Sequence, residues 1–210
     1  MKQILTIVIL LGTIHISLAQ EAYLSVGKNF TTYDYTNSFG ESNPNVSPSS
    51  GNYYELGYVF PITNKLSLES ALTLNEYNAT GGDFVNNYSW NTTYLGFQGV
   101  FNYAIVCSGD YLIKLNTGLN INNIINGQQK INGQTFDLTK ENEFNGLFAQ
   151  AVFGIEASYL ILQNISLGIG YRYSKSMKIS SISDQTLNFN NSQLRFNIIM
   201  NLNNSAFGCY

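Results

Sequence analysis

Apolar and polar side chains alternate along most of this chain with a period of two, the signature of strands that show one face to each of two environments. Eight runs carry the pattern. They are Ala22 to Lys28, Tyr53 to Phe60, Lys65 to Tyr77, Trp90 to Ala104, Tyr111 to Ile121, Leu147 to Tyr159, Ile165 to Ser174 and Gln193 to Leu202. The third sets Leu66, Leu68, Leu72 and Leu74 against Ser67, Glu69, Thr73 and Asn75, an alternation that no helix keeps on one side. The seventh sets Ile165, Leu167, Ile169, Tyr171 and Tyr173 against Ser166, Gly168, Gly170 and Arg172.

The connections alternate as well. Long polar segments follow the first, third, fifth and seventh runs, and turns of a few residues follow the second, fourth and sixth, so short and long loops fall at opposite ends. Pro44, Pro48 and Pro61 are all read into connections, as expected if each strand is hydrogen-bonded on both sides. A closed antiparallel up-and-down β-barrel of about eight strands satisfies these constraints.

Composition decides which face is inside. Charged residues are only 11% of the chain, and the polar face carries one or none per strand among Gly, Ser, Asn, Gln and Thr. A water-facing surface approaches roughly a quarter to a third charged residues. The polar face therefore reads as the interior, and the Leu, Ile, Phe and Tyr face as lipid-facing over the ~25 Å apolar band of an outer membrane. Tyr54, Phe60, Tyr77, Tyr103, Tyr111, Tyr159 and Tyr173 are expected at headgroup depth. The rival reading, a soluble lipocalin-like carrier, has the two faces reversed.

The first nineteen residues stand apart. Lys2, the apolar run Ile4 to Leu11 and the small residues before Gln20 read as a signal peptide cleaved after Ala19, because Gly12, Thr13 and His15 interrupt the run short of the ~20 residues a helical span requires. Residues 20–210 then form one domain, with 203–210 as a periplasmic tail. The net charge of -3 and the absence of a basic stripe give no sign of nucleic-acid binding.

The signal peptide, the run lengths and the short turn within Tyr58-Val59-Phe60-Pro61-Ile62-Thr63-Asn64-Lys65-Leu66-Ser67-Leu68 resemble the small outer-membrane β-barrel domain family, OmpA/OmpX-like or PorT-like. The likeness covers nearly all of Gln20 to Leu202. It implies a cell outer-membrane location in a Gram-negative envelope, with outer-membrane lipid and the barrel assembly machinery as partners. Many such chains end on an aromatic of the last strand, whereas this one runs on from Asn203 to Tyr210, and Phe207 or Tyr210 would have to substitute.

Candidate chemistry is sparse. The single His, His15, lies in the signal peptide, and neither a G-x-S-x-G elbow nor a phosphate-binding glycine loop is present. The expectation is a protein that is not an enzyme, with no catalytic residue, cofactor or metal site. Glu55, Glu69, Lys114, Glu156, Arg172 and Arg195 fall on the interior face, where three acids and three bases would pair as a charge network. Lys130, Lys140, Lys175 and Lys178 are read into the outer loops, to contact phosphates of outer-leaflet lipid or a surface partner, or simply to face water. Cys107 and Cys209 fall at the periplasmic end, where a disulfide and two unrelated thiols are both open. The function read from this is a structural or surface-interaction barrel acting through its extracellular loops. The alternatives are a narrow pore or small-ligand transport, and the soluble carrier.

Overall fold

The computed structural model describes residues 21–36, 46–82, 87–141, 144–179 and 186–202. The signal-peptide reading, the tail with Cys209, and Pro44 lie outside them. The strands are β1 (Glu21–Thr36), β2 (Val46–Pro61), β3 (Leu66–Gly82), β4 (Asn87–Ser108), β5 (Tyr111–Ile131), β6 (Gln134–Asp137), β7 (Leu147–Leu162), β8 (Ile165–Lys178) and β9 (Thr186–Asn201), with a 3-10 turn at Leu138–Lys140. Every pairing is antiparallel. Among the described residues β6 pairs with β5 alone, so eight strands form the wall, and the β4–β5 and β1–β9 ladders close it.

Closure fixes the tilt. One row of paired residues runs from Ala22 through Tyr58, Ser70, Gly99, Leu119, Ala151, Lys175 and Asn190. It returns to β1 at Thr32, ten residues from its start. A stagger of ten residues over eight strands inclines the strands by roughly 40° to the barrel axis, so each residue climbs about 2.5 Å. Outward apolar positions run from Ile165 to Tyr173 on β8, Leu66 to Leu74 on β3 and Phe60 to Tyr54 on β2, before Lys175, Glu76 and Asn52 end the band. Nine residues or so at that climb cover the ~25 Å of an outer membrane.

Each strand is longer than its alternating run. β4 and β5 reach 22 and 21 residues, about twice what the band needs. In β1, β2, β3, β5, β8 and β9 most of the additional residues lie at the end with the long connections, where the outward face turns polar and period-two hydrophobicity fades although the hydrogen-bonded ladder continues; in β4 and β7 residues 105–108 and 160–162 extend the strand at the short-turn end. Pro48 and Pro61 therefore sit in β2 and not in connections: Pro61 is its last residue, at the short-turn end, and Pro48, at the long-connection end, borders a register irregularity before Tyr53. Lys130, Lys175 and Lys178 are likewise strand residues, on β5 and β8.

The two faces are inverted relative to a water-soluble barrel. Leu56, Phe97 and Phe153 are 60%, 57% and 57% exposed, while Glu55 and Arg195 are each 1% exposed. A continuous apolar girdle of this kind far exceeds the patches that water-soluble monomers tolerate. It excludes the soluble-carrier reading. No helix among the described residues is long and apolar enough to cross a membrane, so crossing falls to the strands.

Candidate functional site: the filled interior

The inward face divides into layers. At mid-band lie the charges read from the sequence, all six buried. Arg172 Nη2 bonds Glu69 Oε1 at 2.5 Å and its Nη1 bonds Glu55 Oε2 at 3.3 Å. Arg195 Nη1 bonds the same Glu55 oxygen at 3.1 Å, and its Nη2 bonds Glu156 Oε2 at 2.6 Å. Lys114 Nζ stands 3.0 Å from Glu156 Oε1. Glu55 is the hub, since Tyr23, Tyr53 and Gln98 also donate to it.

The backbone makes room for these side chains. Arg172 is paired across the ladder with Gly154, and Arg195 with Gly170 on one side and Gly27 on the other. A Cβ on Gly154 would stand 2.7 Å from the Arg172 Cγ, and one on Gly170 would stand 3.1 Å from the Arg195 Cγ. Glycine across from each arginine lets a long side chain fold down inside an eight-stranded barrel, whose interior is only wide enough for side chains.

Toward the long-connection end follows an amide layer. Asn29 donates to Asn75 and accepts from Asn191 and Gln193 at 3.0 and 2.9 Å, and Gln150 Oε1 accepts from Asn122 and from the Tyr77 hydroxyl. Spaces of about 10 Å³ remain beside Tyr53 and Gln98 and, below the charges, beside Glu21 and Lys114. Each matches roughly one water molecule.

The mouth is closed by rings, which the sequence reading did not foresee. Tyr33, Tyr77, Tyr94, Phe148 and Phe189 all point inward and are buried. Phe189 is central, with ring centroids of Tyr77, Phe148, Tyr33 and Tyr94 at 4.6, 5.6, 5.7 and 5.9 Å. Tyr77 was expected at the headgroups; it lies on the inward parity of β3 and is 1% exposed. Tyr54, Tyr103, Tyr111, Tyr159 and Tyr173 do face outward. Leu138 and Phe144, from the connection between β6 and β7, complete the cluster. A signal was available: Tyr33, Tyr77 and Tyr94 occupy the parity of the polar face, as do Tyr23 and Tyr53 lower in the barrel, whose hydroxyls donate to Glu55.

That connection has its own geometry. Asp137 accepts from the Thr139 hydroxyl at 2.6 Å and from its backbone N–H at 3.0 Å, which hold its carboxyl below the usual range. Lys140 Nζ stands 3.5 Å from the same carboxylate. Cys107 lies within β4, paired with Leu112, and not in the turn that follows.

The architecture has solved counterparts. OprG from Pseudomonas aeruginosa superposes with a TM-score of 0.50 over 87% of this chain and 97% of its own, at 9% identity. Neisserial surface protein A does so with a TM-score of 0.46 over 86% and 97%, at 14% identity. The chain is an outer-membrane β-barrel. Its girdle places it in the cell outer membrane, in contact with lipid. No protein family matches the sequence, and no curated protein does.

The comparison also corrects one expectation. Similar structures include the outer-membrane protease OmpT from Escherichia coli, at 7% identity and a TM-score of 0.49, and the outer-membrane enzyme PagL, at 13% and 0.40. Enzymes and non-enzymes share this fold, so the expectation of a non-enzyme does not stand. Any chemistry of the described residues would proceed without histidine, since the only one is His15.

Proposed function

We propose that this is a non-conducting barrel of the OmpA/OmpX-like kind, which spans the outer membrane to hold a rim and its connections at the cell surface for structural or surface-interaction work. One observation carries the reading. Among the described residues the interior is filled at three levels by paired charges, amides and rings, and the two small spaces beside the charged layer, one above it and one below, each match about one water. A filled interior argues against the narrow-pore alternative. The strands meanwhile extend well past the lipid band toward the long connections, which is length that spanning alone does not require.

Planar-bilayer recording tests this. Folded protein is expected to give no discrete current steps, whereas Arg172→Ser combined with Arg195→Ser, which removes two long side chains from the charged layer, is expected to leak. Steps from the unaltered protein would favour the pore. In the same reading Cys107, near the periplasmic end of β4, and Cys209 form a disulfide that ties the tail to the barrel base. Unreduced mature protein is then expected to label with no thiol reagent until reduced, and two labelled thiols would remove the bond.

A further inference from the structure

The aromatic mouth differs from the layers beneath it in where its parts come from. Tyr33, Tyr77, Tyr94, Phe148 and Phe189 belong to five different wall strands and form a cup. Leu138 and Phe144, which fill the cup, belong to a connection that enters from outside the wall.

Two further features bear on that connection. The β5–β6 turn that precedes it carries left-handed backbone at Asn132 (φ 48) and Gly133 (φ 86), and Gly146 (φ 106) does so where the chain rejoins the wall at β7. The connection also has a made seat. A Cβ on Gly127 would meet Leu138 Cβ at 3.0 Å and Ile124 Cδ1 at 2.7 Å, so glycine at this point of β5 is what lets Leu138 enter.

The cup holds an unused polar group. The Tyr94 hydroxyl is fully buried and has no hydrogen-bond partner among the described residues, although beside it the Tyr33 hydroxyl donates to the Tyr77 carbonyl and the Tyr77 hydroxyl to Gln150. A buried hydroxyl without a partner forfeits a hydrogen bond that water would have supplied. A site built of tilted and edge-on rings with one spare donor fits one class of guest: a small, planar, uncharged aromatic molecule carrying an oxygen acceptor.

We propose that the cup is a binding site for such a molecule and that Leu138 and Phe144 are its built-in competitors, seated when the site is empty and displaced when it is filled. This goes beyond a surface-display role, which requires nothing bound inside. A self-occupied site binds weakly in proportion to the fraction of time it is open, so removing the competitors raises apparent affinity.

Trp90 is the chain's single tryptophan, packs against the cup and lies 6.5 Å from the Tyr33 ring, so it reports directly. The probe is 4-nitroanisole, a planar neutral quencher with oxygen acceptors, titrated into the folded full-length barrel in detergent. Saturable quenching is expected, with at least ~10-fold tighter binding in Leu138→Ala combined with Phe144→Ala. Tyr94→Phe in that background is expected to weaken it again by about 10-fold, the scale of one hydrogen bond. If the double variant loses its folded gel mobility, Gly127→Ala, which presses Leu138 from its seat, is expected to tighten binding in its place. Quenching that rises linearly and equally in every variant is partition into the micelle and overturns the proposal. Saturation unaffected by removal of the competitors overturns it equally.

Discussion

The charged layer and the aromatic mouth close the same barrel by opposite means. In the charged layer each group depends on several partners drawn from different strands: Glu55 of β2 accepts from Arg172 of β8 and Arg195 of β9. At the mouth, contacts are ring against ring, and part of the filling comes from a connection. An ion network inside a membrane barrel is all-or-nothing, because a charge that loses its partner has no water to turn to. Ring packing is graded, and loses stability roughly as contact area is lost. The charged layer is thus the fixed floor, and the mouth the part that can be changed.

Three substitutions sharpen this contrast, read as unfolding free energies from urea titrations in lipid vesicles. Arg195→Ala should have the largest effect, about 3–5 kcal/mol, because Glu55 and Glu156 each lose a charged donor while remaining buried. Phe189→Ala should cost about 3 kcal/mol, since four rings lose their common neighbour but no polar group is stranded. Leu138→Ala should cost about 2 kcal/mol or less, because its connection can resettle over the gap. If Leu138→Ala were as costly as Arg195→Ala, the connection would be part of the fixed structure, and the distinction between floor and mouth would fail.

The same contrast explains what the sequence disclosed. Alternation is clean where one face meets lipid and the other a narrow polar interior, so Leu66 to Leu74 and Ile165 to Tyr173 could be placed at once, as could the inward parity of Glu55, Glu69 and Arg195. Above the membrane the outward face becomes polar while the inward face gains Tyr33, Tyr77, Phe148 and Phe189. Both sides then carry mixed chemistry, and period two no longer marks the strand. The hairpin extension at Gln134–Asp137 and the insertion of Leu138 were not legible for a different reason. They depend on where a connection folds in space, which no local periodicity encodes. What the paired layer would look like was legible only as composition: three acids and three bases on one face. That Glu55 would be the hub depends on the stagger of the strands, which brings β2, β8 and β9 residues to one depth.

Gel mobility of the folded, detergent-extracted protein, unboiled and boiled, tests the closed, filled membrane barrel most directly. A closed barrel resists SDS until heated, so the unboiled protein should migrate as a distinct compact band that converts fully to the unfolded mobility on boiling. A single mobility under both conditions, together with solubility in plain buffer, would contradict the account.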